Sequence, residues 1–155
     1  MINKDIGFVL LNISENSYYD NIFKNIKKFI DHNPYQSITI FSSSQNKVET
    51  HNVPILHISH AKFFSGDLVL FDIPSIILTE NFTNINNRYL YAQDIPWSAE
   101  PSINFREWSS IYYQNNLKLI ACNSSVYDIY NICWKTPSGI AENFDYDKLY
   151  QIIKE

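Results

Sequence analysis

The chain has 155 residues, of which 45% are hydrophobic and 15% aromatic, and a formal net charge of −4. These totals suit one domain with a single sizeable core and exclude a disordered chain. The 12 basic residues are scattered apart from Lys24, Lys27 and Lys28, so no nucleic-acid footprint is expected, and no apolar run approaches the ~18 residues of a membrane span.

The opening MINKDIGFVLLNIS lacks a small-residue cleavage site and runs directly into patterned sequence, which is not the form of a signal peptide. Residues 5–11 (DIGFVLL) read as a buried first strand, followed by a loop at Asn12-Ile13-Ser14. Ser14 or Ser17 can cap the next helix. Over 18–31, Ile22, Phe23, Ile26, Phe29 and Ile30 recur at three- and four-residue steps with lysines opposite. This is the clearest amphipathic helix in the chain, and Asn33-Pro34 stops it. A second strand follows at 37–41, ending in the polar loop Ser42-Ser43-Ser44.

Residues 53–58 form a short third strand, with Pro54 suited to an edge or a strand beginning. A helical turn over 59–66 carries Ala61, Phe63 and Phe64. The fourth strand is 67–71, with Asp72 at its C-terminal end, and a helix over 73–80 accepts Pro74 in its first turn. The Asn-rich segment 81–87 reads as a loop. A fifth strand over 89–92 then breaks into Gln93-Asp94, Pro96 and Trp97. A helix over 103–113, a strand over 117–121 and a helix opened by Asn123-Ser124-Ser125 come next. A short strand over 138–141 and a helix over 145–154 complete the pattern.

Strands alternating with helices at this spacing imply βαβ units. The expected architecture is a single α/β three-layer domain, Rossmann-like, with a mainly parallel sheet of five to seven strands. Phe8, Val9, Leu10, Ile22, Ile26, Ile38, Ile40, Val69, Leu70, Leu90, Leu119 and Ile120 should lead its core.

Few chemical motifs accompany this fold. No GxGxxG follows the first strand, no P-loop or GxSxG occurs, and the chain holds only three glycines. Backbone cradling of a pyrophosphate needs glycine where the chain comes close to it, so no nucleotide cofactor is expected. His51, His57 and His60 form a loose cluster in a strand-to-loop transition that would not hold one metal, and polar packing explains them better. Cys122 and Cys133 form no CxxC pair and fit a reducing, cytoplasmic setting. The abundance of Asn, Ile, Lys and Tyr points to an AT-rich coding genome, bacterial or viral.

In open α/β sheets ligands sit outside the carboxyl ends of the strands. Gln93-Asp94, where a central strand ends, is therefore the first candidate site, with Asp94 opening a turn before Pro96 as the plain alternative. Asp72 stands at another strand end and either shares acid/base work or caps the helix after it. Trp97, Trp108 and Trp134 suit core or interface positions, with Trp97 in a presumed loop as the exception.

The later segments carry a resemblance. YLYAQDIPW resembles a strand ending in a Gln-Asp loop, LKLIACNSSVYDIYNICW the strand, Asn-Ser and helix after it, and SGIAENFD a run into an interdomain crossover. Together they resemble the N-terminal, acceptor-side, Rossmann-like half of GT-B glycosyltransferases, most specifically from Tyr89 onward. In that family a C-terminal domain chiefly binds the donor nucleotide-sugar, and this chain stops where that domain would begin. No Glu-rich donor motif or basic phosphate clamp can be assigned. The resemblance thus implies an acceptor-side domain without its donor half: a split enzyme, a remnant reused for binding, or a fold relative.

Under this reading Asn12, Ser14, Ser42, Asp72, Gln93, Asp94, Trp97, Asn123 and Ser124 border the crevice. Asp94 is the candidate base toward an acceptor hydroxyl, oriented by Gln93. A sugar acceptor is the implied ligand, and a protein partner or second copy is expected over the strand C-terminal face. The contrasting expectation is a non-enzymatic interaction protein, of bacterial or viral origin, whose surplus Tyr and Trp cover an interface.

Overall fold

Every strand pairing in the computed structural model, which describes residues 5–32, 37–44, 52–99 and 102–155, is parallel. The strands are β1 (Ile6–Val9), β2 (Ile38–Ser42), β3 (Ile55–His57), β4 (Gly66–Leu70), β5 (Ile85–Ala92), β6 (Leu117–Ala121) and β7 (Gly139–Ile140). They form one seven-stranded sheet in the order β3-β2-β1-β4-β5-β6-β7. The helices are α1 (Ser17–His32), α2 (Ile73–Thr79), the single turn α3 (Pro96–Ala99), α4 (Phe105–Tyr112), α5 (Ser124–Cys133) and α6 (Tyr146–Lys154). Two 3-10 turns, Ile58–Phe63 and Glu142–Phe144, complete the chain. The α/β Rossmann-like expectation holds, at the upper end of the expected strand count.

Alternation along the strands divides the core into two layers. Phe8, Leu10, Ile40, Val69, Tyr89, Tyr91 and Ile120 face α1 and α6, meeting Ile22, Phe23, Ile26, Phe29, Leu149 and Ile153. Val9, Phe41, Leu68, Leu70, Leu90, Leu119 and Ala121 face the other side, against Ile76, Trp108, Tyr112, Val126 and Tyr130 of α2, α4 and α5. All twelve residues expected to lead the core are buried. A sheet covered on both faces explains why its strands read as near-continuous apolar runs.

Differences from the sequence expectation are local. Asn16 caps α1, where Ser14 or Ser17 was expected: its side-chain oxygen accepts the amide of Tyr19 at 3.1 Å, and its side-chain amide is tied to Ser14 Oγ at 2.8 Å. The segment 81–87 is not all loop, because β5 begins at Ile85. The register between β4 and β5 shifts between Gly66 and Leu68. At this irregularity Asn87 donates its backbone and side-chain N–H groups to Asp67 Oδ1 at 3.1 and 3.0 Å. A polar segment therefore enters the sheet because a buried carboxylate accepts its amides. Gly66 is required next to it. Its φ of +148° is open mainly to glycine, and a Cβ there would lie 2.2 Å from the Asp5 carbonyl oxygen.

The sheet order places one crevice by topology. The chain runs outward from β1 through β2 to β3, then returns to the far side of β1 to lay down β4. The loops leaving β1 and β4 thus diverge to opposite sides, which is where doubly wound sheets open to ligands. The Asn33-Pro34 stop signal and His51 lie outside the described residues.

Candidate functional site

Two adjoining hollows lie along the C-terminal strand ends. The smaller, about 360 Å³, opens at the β1/β4 divergence and is lined by Leu10, Leu11, Tyr18, Tyr19, Phe71, Asp72, Gln93 and Asp94. The larger, about 800 Å³, runs over the ends of β5, β6 and β7 beneath the start of α1. Ser17, Tyr18, Asn21, Ile22, Tyr91, Gln93, Cys122, Asn123, Glu142, Asn143 and Phe144 line it. Both fall within the ~300–1,000 Å³ of small-molecule sites.

Tyr18 and Gln93 line both hollows, and Gln93 Nε2 donates to Tyr18 Oη between them. Burial first, then the nearby Tyr19, Asp72 and Asp94, push the Tyr18 phenol up to about 12 against the lowering effect of Gln93. It therefore stays neutral as a hydrogen-bonding strut. Tyr19 stands edge-on to Tyr18 with ring centroids 5.0 Å apart, and its hydroxyl donates to the Asn12 carbonyl. The first turn of α1 is in this way fastened across the crevice rather than aimed at it.

The nine residues singled out from the sequence divide three ways. Asp72, Gln93, Asp94 and Asn123 line the hollows. Two of these have structural duties as well: Asp72 Oδ1 accepts the Ser75 amide at 2.8 Å to cap α2, and Asn123 Oδ1 accepts the Val126 amide at 2.9 Å to cap α5. Asn12 and Ser14 are exposed in the β1–α1 loop, and Ser124 is exposed at the start of α5. Ser42 and Trp97 belong to packing. Ser42 is buried and binds the loop carbonyl of Leu11 and the Ser44 amide. Trp97 stands nearly perpendicular to the rings of Tyr112, Tyr130 and Trp134, at centroid distances of 5.6, 4.9 and 5.5 Å. Such edge-to-face packing makes it a keystone of the core below the crevice rather than a stacking platform.

Tyr18, Tyr19, Asn21, Glu142 and Asn143 were not singled out from the sequence. One signal was available: the first turn of a helix after a parallel strand must stand beside that strand's carboxyl end, and Tyr18-Tyr19 occupies that turn in α1. Glu142 and Asn143 had none, because β7 has only two residues and the turn after it is irregular.

That turn is held in an uncommon backbone shape, with φ +52° at Asn143 and +56° at Phe144. A bulky aromatic at positive φ persists only where its surroundings enforce it. Here Tyr91 Oη donates to the Ala141 carbonyl at 2.8 Å and accepts the Phe144 amide at 2.9 Å, while Asn21 Nδ2 donates to the Asn143 carbonyl at 2.6 Å. Tyr91→Phe removes the first two bonds and orphans two buried backbone groups, at ~1–3 kcal/mol each. We expect a loss of ~2–4 kcal/mol by urea unfolding, and a native-like stability in that variant would count against the tether.

Among the described residues no lysine, arginine or histidine lines either hollow. Burial first, then the charges of Asp94 and Glu142, raise the Cys122 thiol above the usual range. It is therefore a poor nucleophile. Among the described residues no group of three or more His, Cys, Asp or Glu is placed to hold a metal ion. His57 Nδ1 accepts the Ser59 amide at 3.2 Å and caps the turn that follows β3. No described helix is long and apolar enough to cross a membrane.

Comparisons with family models, curated proteins and solved structures give no match for this chain.

Proposed function

We propose that this chain is a glycosyltransferase-like, acceptor-side domain that binds a neutral or cationic hydroxylated ligand, a sugar by preference, at its strand C-terminal crevice. The observation that carries this reading is the character of the lining. Among the described residues it offers amides, phenols and carboxylates and no basic side chain. A nucleoside diphosphate would meet Asp72 and Asp94 without a compensating charge, and the β1–α1 loop has no glycine to bring backbone amides close. A saccharide needs only donors, acceptors and aromatic surface.

Within this reading Asp94 accepts the proton of an acceptor hydroxyl and Gln93 orients it. Asp94 is exposed to solvent. Oxyanion-type stabilisation depends on a water-excluded, preorganised site, where one donor is worth about 3 kcal/mol. A donor half supplied by a second protein or copy completes the cleft.

Titrating the chain with short β-linked glucose oligosaccharides, followed by NMR, should give saturable binding that Gln93→Ala abolishes. The same sample incubated with a panel of nucleotide-sugars should consume none of them. Turnover by a demonstrated monomer would sink the partner-dependent half, and absence of any saccharide binding would sink the ligand.

One observation favours a second reading. Phe63, Phe105 and Ile132 are 72%, 72% and 82% exposed on the turn after β3, on α4 and on α5, away from the lined hollows. Exposed apolar residues of this size suit a protein-interaction role, in which the crevice is incidental.

A further inference from the structure

We infer that Tyr18 is the specificity-determining residue of the crevice, a fixed aromatic platform on which a saccharide of two or more units stacks while it spans both hollows. This rests on the saccharide reading above and deepens it. Tyr18 stands where the hollows of about 360 and 800 Å³ adjoin, and it lines both. Two contacts fix its ring: Gln93 Nε2 donates to its hydroxyl, and Tyr19 packs against it nearly perpendicular, with ring centroids 5.0 Å apart. Tyr18 is nevertheless 38% exposed. Among the described residues, the other aromatic side chains lining the hollows offer less surface. Tyr91 and Phe144 are buried, and Tyr19 and Phe71 are half-buried.

The crevice is too long for a single sugar ring to fill. It runs from Asp72, just after β4, to Glu142, just after β7, and those strands are three places apart in the sheet. At ~4.8 Å per place its ends lie about 14 Å from each other. One pyranose ring set against Asp94 in the smaller hollow leaves Asn21 and Asn123 of the larger one unmet. A linked chain reaches both sets of polar groups only by crossing Tyr18. The faces of a pyranose ring are apolar C–H surface and its rim carries the hydroxyls. A unit crossing there lays a face on the phenol ring and turns its hydroxyls toward the hollows on either side. Because the ring is already held in place, stacking on it costs little side-chain entropy.

The test titrates glucose and cellotriose into the wild type, Tyr18→Phe and Tyr18→Ala, following both partners by NMR. Wild-type protein should bind cellotriose at least about tenfold more tightly than glucose, with ring-current upfield shifts at the C–H protons of one unit. Tyr18→Phe keeps the ring and should keep the preference and the upfield shifts. Tyr18→Ala should lose the shifts and bring the two affinities within about threefold of each other. Tyr18 is exposed in the first turn of α1, so both variants retain the fold, which circular dichroism checks. The upfield shifts are read on the wild type and depend on no variant, and their absence there would overturn the stacking. Equal affinity of the wild type for glucose and cellotriose would overturn the spanning mode and leave the saccharide reading standing. A preference that survives Tyr18→Ala, or one lost as fully in Tyr18→Phe, would overturn the assignment to the ring. No saturable binding of either sugar would overturn both the inference and the reading beneath it.

Discussion

Raising the pH from about 10 toward 12 should unfold this protein in one cooperative step, driven by its buried tyrosines. Tyr89, Tyr91, Tyr112 and Tyr130 are all 3% exposed or less. Burial is the largest cause that pushes Tyr89, Tyr91 and Tyr130 up to about 12, and it raises Tyr112 further in the same direction. In the unfolded chain each phenol ionises near its ordinary value of about 10. Between those limits the unfolded state binds fewer protons than the folded state, so stability falls as pH rises. The stabilising contribution is complete below pH ~10 and is lost on the way to the folded-state value.

Each such tyrosine costs up to about 1.4 kcal/mol per pH unit in that window. Four together remove about 5 kcal/mol per unit, against a typical total of ~5–15 kcal/mol. Lys135 works the other way, since burial, aided by nearby Arg88, holds its amine below the usual range. Its gain is finished once the unfolded-chain lysine has titrated, at about pH 10.4, so it does not offset the loss above. Far-ultraviolet circular dichroism and tyrosinate absorbance, followed together, should change in one step between about pH 11 and 12. Gradual ionisation of all eleven tyrosines near their ordinary range, with secondary structure retained, would contradict the burial of these four.

Replacing Arg88 by alanine should cost about 3–5 kcal/mol, the largest effect expected of a single substitution. Arg88 is 1% exposed in the middle of the sheet. Its guanidinium is held by neutral carbonyls: Nη1 donates to the Ile76 carbonyl at 3.1 Å, Nε and Nη2 to Asn116 Oδ1 at 3.2 and 2.7 Å, and Nη2 also to Gln114 Oε1. The Arg88 amide donates to the Asn116 carbonyl at 2.8 Å, so one residue of the α4–β6 turn grips both ends of it. Desolvating a cation without a carboxylate is unfavourable, and burial accordingly lowers the guanidinium pKa despite nearby Glu80.

Two effects therefore compete when Arg88 is removed. Relief of the buried charge favours the variant, whereas a cavity and three abandoned acceptors oppose it. Charge-assisted hydrogen bonds of ~1.5–3 kcal/mol each make the second effect the larger. Arg88→Met separates the two, because it fills the volume and removes the charge while still orphaning the acceptors. It should cost about 1–2 kcal/mol by urea unfolding. Alanine and wild type within about 1 kcal/mol of each other would show that the acceptor cage has little energetic weight.

Arg88 also marks what the sequence can show. The apolar runs and helical spacings around it identified nearly every element, because strands buried on both faces must be apolar throughout and helices must bury one stripe. All twelve core residues named from those patterns are buried for the same reason. Asp72, Gln93, Asp94 and Asn123 were legible as crevice residues by a geometric rule: in a parallel sheet every chain segment that leaves a strand emerges on one edge. The rule identifies the edge but not which loops meet there. That depended on the order β3-β2-β1-β4-β5-β6-β7, set by the side of β1 on which the returning chain lays β4.

Only the tertiary structure brought in the rest. Tyr18 meets Gln93 across 75 residues, and Asn21 meets Asn143 across 122. No local pattern records a contact of that span. The tertiary structure also reassigned residues that looked suitable. Ser42 was turned inward by the packing of β2 against the β1 loop, and Trp97 was drawn from an apparent loop into a cluster with Tyr112, Tyr130 and Trp134. A polar or aromatic residue at a strand end has two outlets for its surface, the crevice or the core. Its own neighbours in sequence do not decide between them, because the choice depends on the space left by elements that arrive from elsewhere in the chain.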